Sequence, residues 1–129
     1  MKLFTKQQFD QLVENGKPEN QDKDHYPAVK LFLPGTACTW LLTEIDHEYP
    51  TIAFGLCDLG VGFPELGSVS LTEIQEVKSL FYTTVERDLF FKAIYPISVY
   101  AETARIIGYI TESHSMLSLY APKGLKPKL

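Results

Sequence analysis

The segments PGTACTWLLTEID (34–46) and IAFGLCDLGVGFPELGSVSL (52–71) decide the fold of this chain. The first holds Thr39, Trp40, Thr43 and Ile45, residue types that fit a pleated, half-buried surface, and predicts a strand over 38–45. The second predicts a strand over 52–58, separated from the first by a polar stretch in which Pro50 breaks any continuous ladder. Together they predict an antiparallel hairpin. If Asp46 pairs with Ile52, then Trp40, Leu42 and Glu44 share a face with Phe54, Leu56 and Asp58. A loop one residue shorter reverses that assignment, because a single slip moves every side chain to the other side of a sheet.

Outward from the hairpin, residues 29–33 (VKLFL) form a further apolar run that stops at Pro34-Gly35, a strand ending in a turn. Downstream, GVGFPELG (60–67) carries three glycines and a proline and reads as a loop, followed by a short strand over 67–70. Ser70 and Glu73 match a capping box, so a helix is expected from there to about residue 79. Near the N-terminus, Thr5 can cap a helix whose apolar positions are Phe9, Leu12 and Val13, with Gly16 as a left-handed terminus. Residues 90–94 suit another strand closed by Pro96. Ser98 can cap a third helix reaching about residue 112, with Val99, Thr103, Ile106, Ile107 and Ile110 as its buried stripe. The expected fold is therefore α+β: one domain over 1–129, an antiparallel β-sheet meander with about three α-helices packed on it. Residues 17–25 form an exposed loop and 121–129 a basic, mobile tail.

The 129 residues are enough for one core, and 45% apolar with 22% charged residues is ordinary for a folded soluble domain. No apolar run is long enough to span a bilayer and no signal-peptide core is visible, which points to a cytoplasmic protein with no membrane association. Cys38 and Cys57 lie inside strand-like runs and read as buried, reduced thiols; two cysteines make no zinc quartet, and no cofactor is implied. The formal charge of −4 is unevenly spread. Residues 44–88 hold nine carboxylates against two bases, Lys78 and Arg87, a net of −7 that repels phosphate.

Taken in order, the landmarks VKLFLP (29–34), TWLLTE (39–44), FGLCD (54–58), ELGSVSLTEI (65–74) and VERDLFFK (85–92) resemble the DUF2958 family of uncharacterised bacterial proteins. The likeness covers about residues 26–92. It departs from the family's pattern at Ser68, where relatives often carry an aromatic, and at Leu41, where some relatives carry one. The resemblance implies no established reaction; it implies an association with plasmids and other mobile elements, and hence an accessory role.

For function, the candidate binding residues are Glu44, Asp58, Glu65, Arg87 and Asp88. Glu44, Asp58 and Glu65 could supply oxygen ligands to a divalent cation if they converge, which would make a metal-dependent hydrolase the third reading; the spacing matches no metal motif. Arg87 could clamp an anion with its planar fork, or pair with Glu44 or Glu65 and order its loop. Trp40, Phe54, Tyr82 and Phe91 are read as core aromatics rather than base-stacking platforms, since basic interleaving is missing around them. A nucleic-acid-associated factor using Lys2, Lys6, Lys30 and the lysine tail is thus the alternative. The favoured expectation is a non-enzymatic interaction module that engages a protein partner through an acidic surface.

Overall fold

The computed structural model describes residues 3–129. Elements run α1 (Lys6–Asn15), β1 (Val29–Phe32), β2 (Thr39–Ile45), β3 (Ile52–Asp58), β4 (Glu65–Ser70), α2 (Leu71–Glu76), β5 (Glu86–Arg87), α3 (Ile97–Ile107) and α4 (His114–Tyr120). The strands form one antiparallel sheet in the order β4-β3-β2-β1-β5. The class is α+β as expected, with four helices.

A bulge in β2 corrects the expected register. Glu44 lies opposite Phe54 and Ile45 opposite Ala53, as the Asp46–Ile52 pairing requires, but the register then shifts and Leu42 faces Gly55, Leu41 faces Leu56 and Trp40 faces Cys57. Thr43 is the extra residue. A bulge leaves one residue unpaired, and here it turns Ile45 back to the face of Trp40 and Leu42 while sending Glu44 to the other. Trp40 and Leu42 therefore do not share a face with Leu56 and Asp58.

Each face of the sheet carries its own core. Trp40, Leu42 and Ile45 pack with Leu12, Val29, Leu31, Ala53 and Ile74. On the opposite face, Leu41 and Leu56 pack with Tyr95, Val99, Tyr100, Ala104 and Leu117 from the α3–α4 region. The sheet is thus covered on both sides, which explains the run Trp40-Leu41-Leu42, apolar at every position rather than alternating.

The first layer is fastened at the bulge. Asn15 Nδ2 donates to Thr43 O (2.9 Å) and Thr43 Oγ1 donates to Phe54 O (3.2 Å). Gly16 ends α1 with right-handed backbone (φ −86°), not the left-handed conformation its type suggested. Its role is proximity: a Cβ there would stand 1.7 Å from Ile45 O. Gly55 serves the same need across the bulge, where a Cβ would lie 2.0 Å from Leu41 O.

The second layer also departs from expectation. Residues 90–94 form no strand; β5 is the two-residue segment before them, paired with Leu31 and Phe32. Ser98 does not cap α3. Asp24, at the end of the 17–25 loop, accepts bonds from Ser98 N (3.1 Å) and Ser98 Oγ, and His25 O accepts from Ile97 N (2.8 Å). A carboxylate and a backbone carbonyl, both remote in sequence, thereby each satisfy one first-turn amide that local capping would have served. The helix stops at Gly108, whose φ of 89° favours glycine, so Ile110 lies beyond it; Ile106, inside the helix, is exposed rather than part of the buried stripe.

Three substitutions test this packing in thermal or urea melts. Gly55→Ala should cost about 3 kcal/mol or more, whereas Gly67→Ala, with nothing within 4 Å of the added methyl, should stay within about 1 kcal/mol of the parent. Thr103→Val should stabilise by about 1 kcal/mol, because Thr103 Oγ1 is buried in α3 without a hydrogen-bond partner and valine keeps the shape.

Candidate functional site

The five polar candidates do not form one cleft. Glu44 pairs with Phe54 and Asp58 with Thr39, so these two carboxylates sit four residues apart along β3, about 13 Å of strand. Glu65 begins β4 at one edge of the sheet, and Arg87 occupies β5 at the other, about 19 Å of strand spacing away. That separation exceeds the combined reach of the two side chains. Among the described residues, no group of three or more His, Cys, Asp or Glu side chains is arranged to hold a metal ion.

Asp58 is 2% exposed and both its oxygens are engaged: Oδ1 accepts from Gly60 N (2.8 Å) and Oδ2 from Ile110 N (3.1 Å). It ties the end of β3 to the segment after α3, a structural duty. Glu44 is half-buried, and burial raises its carboxyl above the ordinary glutamate range, with His25 and Thr43 opposing and Asp22 and Asp46 reinforcing the shift. Burial also pushes the Cys57 thiol up against a lowering hydrogen bond from Trp40, which disfavours the thiolate a nucleophile needs.

Arg87 and Asp88 do share a place, a shallow groove of about 290 Å³ with Phe32, Glu86, Leu89 and Phe90. Asp88 shapes it. Its Oδ1 accepts from Phe90 N (2.9 Å), closing the turn that throws Leu89 and Phe90 outward, and its Oδ2 lies 3.3 Å from Lys30 Nζ. Lys30 also bonds Glu112; although burial works against its charge, these two carboxylates raise its pKa overall.

Immediately before β5, the chain makes a second projection. Lys78 bridges Thr84, and within that loop Ser79 Oγ accepts from Phe81 N and Thr83 N (both 3.1 Å). Thr83 Oγ1 lies 2.6 Å from Ser79 Oγ and 2.9 Å from Pro34 O. One hydroxyl carries one hydrogen, so Thr83 donates to Pro34 O and accepts from Ser79. The hydroxyls anchor the base of the loop to the β1–β2 turn and leave its tip in solvent. Leu80, Phe81 and Tyr82 are 95%, 85% and 83% exposed, and Phe90 and Leu89, on the far side of β5, are 91% and 67% exposed. Tyr82 also has φ 62°, left-handed backbone that costs a bulky residue roughly 1–2 kcal/mol.

These five side chains escaped sequence reasoning. Residues 90–94 looked like a strand, and Tyr82 looked like core. The discoverable signal was local: the apolar triplet Leu80-Phe81-Tyr82 stands between Ser79 and Thr83, hydroxyls suited to closing a turn around it.

The lysines considered for phosphate binding are differently placed. Lys6 pairs with Asp10, Lys30 is held as described, and Lys128 stands 5.5 Å over the Tyr26 ring while its backbone N donates to Ile94 O; Lys2 lies outside the described residues. No helix among the described residues is long and apolar enough to cross a membrane.

The architecture defines an α+β domain with a five-stranded antiparallel sheet between two helical layers and an apolar projection at one sheet edge. The chain belongs to the DUF2958 family, described as a protein of unknown function, whose profile matches residues 3–111. No curated protein and no solved structure matches it.

The raised Glu44 carboxyl has a signed consequence. The folded state binds that proton more tightly than the unfolded chain, so the associated stability is present at acid pH and is lost as pH rises through the glutamate range. Glu44→Gln, neutral at every pH, should raise the melting temperature at about pH 7 and lose that advantage near about pH 4. Asp58→Ala should instead cost about 2 kcal/mol at neutral pH, since it strips the partner from two backbone amides.

Proposed function

We propose that this protein is a non-enzymatic interaction module that grips a protein partner with the apolar projections flanking β5. One observation carries the reading: five large apolar side chains within positions 80–90 stand in solvent on either side of a short edge strand, and one sits on strained backbone. Exposure of that kind opposes stability and solubility, and concentrated apolar patches of this sort mark interaction surfaces. Burying an aromatic anchor contributes about 1.5–3 kcal/mol, so Phe81 and Phe90 together could supply the centre of a protein interface.

The surroundings specify the partner further. The patch sets Glu86, Arg87 and Asp88 beside the apolar side chains, and Asp88 is already paired with Lys30, so the fitting surface is an apolar cavity whose rim carries polar groups of both signs. The setting we propose is accessory, in the cytoplasm of a bacterium carrying a mobile element, and this part rests on the family resemblance.

The test compares the tagged parent with Leu80→Ser/Phe81→Ser/Tyr82→Asn in co-purification from the native host. Asparagine tolerates left-handed backbone, so the variant should melt within about 2 °C of the parent or above it. Partner recovery should fall at least tenfold. Equal recovery by both proteins, or nothing above background with the parent, would remove the proposal. Binding of the parent to neutral phosphatidylcholine vesicles, lost in the variant, would reassign the tip to a membrane surface.

A further inference from the structure

The two edges of the sheet are built differently, and the difference points to self-association through β4. β5 is two residues long and flanked by charge; β4 runs six residues, Glu65–Ser70, with no lysine, proline or bulge inside it. Charged, short or interrupted edges are the usual protection against strand addition. The β5 edge is charged along its whole length, whereas β4 carries a single charge, Glu65, at its first position.

Hydrogen-bond phase shows what each edge offers. Leu71 N donates to Thr51 O (2.8 Å), continuing the β3–β4 register, so the pairs Ala53–Val69, Gly55–Gly67 and Cys57–Glu65 bond inward. The N–H and C=O of Leu66 and Ser68 consequently point away from the sheet. A Cβ built on Gly67, between them, meets nothing within 4 Å. On the other edge, Asp88 N donates to Lys30 O (2.9 Å), which leaves Arg87 facing outward.

Only β4 is self-complementary. Two antiparallel copies related by a two-fold axis at Gly67 place Leu66 of each against Ser68 of the other and form four reciprocal backbone bonds. Gly67 then meets Gly67 of the second copy, and Glu65 meets Val69, so no like charges face each other. The two Leu66 side chains become diagonal neighbours within contact reach. Each is 44% exposed and borders a groove lined by Leu56, Pro64 and Ala101 together with the paired Glu102 and Arg105 of α3. Phe63, 77% exposed, is carried toward Leu71 of the second copy. The β5 edge allows no equivalent: in phase, its two-fold pairings set Arg87 against Arg87 or Glu86 against Glu86, which is repulsive.

We infer that two copies of this chain join edge to edge through β4 into a continuous ten-stranded antiparallel sheet centred on Gly67. The β5 projections stay free at the two outer ends, so the dimer would present them twice.

Sedimentation velocity of the full chain, from micromolar to hundreds of micromolar, should show conversion from 14.6 kDa to twice that mass. In the dimer the Leu66 and Ser68 amides should gain protection from hydrogen exchange. Ser68→Pro removes an outward donor, and Leu66→Lys places charge beside the axis; each should weaken association at least tenfold while the dilute melting temperature stays within a few degrees of the parent. The second variant keeps the test decisive if proline disturbs the strand. A parent that is monomeric throughout, or a dimer that survives both variants, would overturn the inference. The Leu80→Ser/Phe81→Ser/Tyr82→Asn variant should dimerise normally; loss of the dimer there would assign association to the β5 end and also overturn it.

Discussion

One extra residue in β2 sets the layout of the whole molecule. With Thr43 bulged out of the ladder, Trp40, Leu42 and Ile45 all face α1, although the separation between the last two is odd. Without the bulge, strict alternation would drive the Glu44 carboxylate into the first core and Ile45 into the second. Burying an unpaired carboxylate is far more costly than disrupting one ladder position, so the bulge is the lower-energy arrangement. Its consequences spread outward: the freed carbonyl of Thr43 receives Asn15, the close approach requires Gly16 and Gly55, and α1 is held against β2.

The second layer depends on an analogous long-range device. Asp24 caps α3 from the far end of the loop after α1, and Asp58 ties β3 to the chain beyond α3. Lys30 joins β1 to the β5 turn and to the segment before α4 through Asp88 and Glu112. Several charged groups that invite a catalytic reading are therefore engaged in connecting layers. The carboxylates are distributed over both ends and both edges of the sheet, and the concentrated surface feature is apolar.

Much of the fold was legible because it rests on local rules. The 52–58 strand was read with the bounds observed, Thr5 caps α1 as its residue type indicates, and Ser70 accepts from Glu73 N at the start of α2, although that helix ends at Glu76 rather than near 79. The expected strand at 90–94 failed for an equally physical reason. Phe90, Phe91 and Ile94 have strand composition, but Asp88 closes a turn that takes the chain away from β1 before a ladder can form. The third helix was overextended because Ile110 continued its apolar period past Gly108, where the backbone had already turned left-handed. Of the candidate site, Arg87 and Asp88 were legible as a charge cluster. Leu80, Phe81, Tyr82 and Phe90 were not, since apolar composition alone does not distinguish a buried strand from an exposed loop.

The amino-acid sequence by itself determined the α+β class, the antiparallel hairpin, two helix starts, the acidic middle and the family, because each follows from side-chain type at short spacing. Tertiary structure alone decided the bulge at Thr43, the remote cap from Asp24, the dispersal of Glu44, Asp58 and Glu65, and the exposure of the residues around β5. These depend on which strand lies beside which and on what covers each face. Periodicity reports that a side chain has an apolar side; only the packed neighbours decide whether that side is filled.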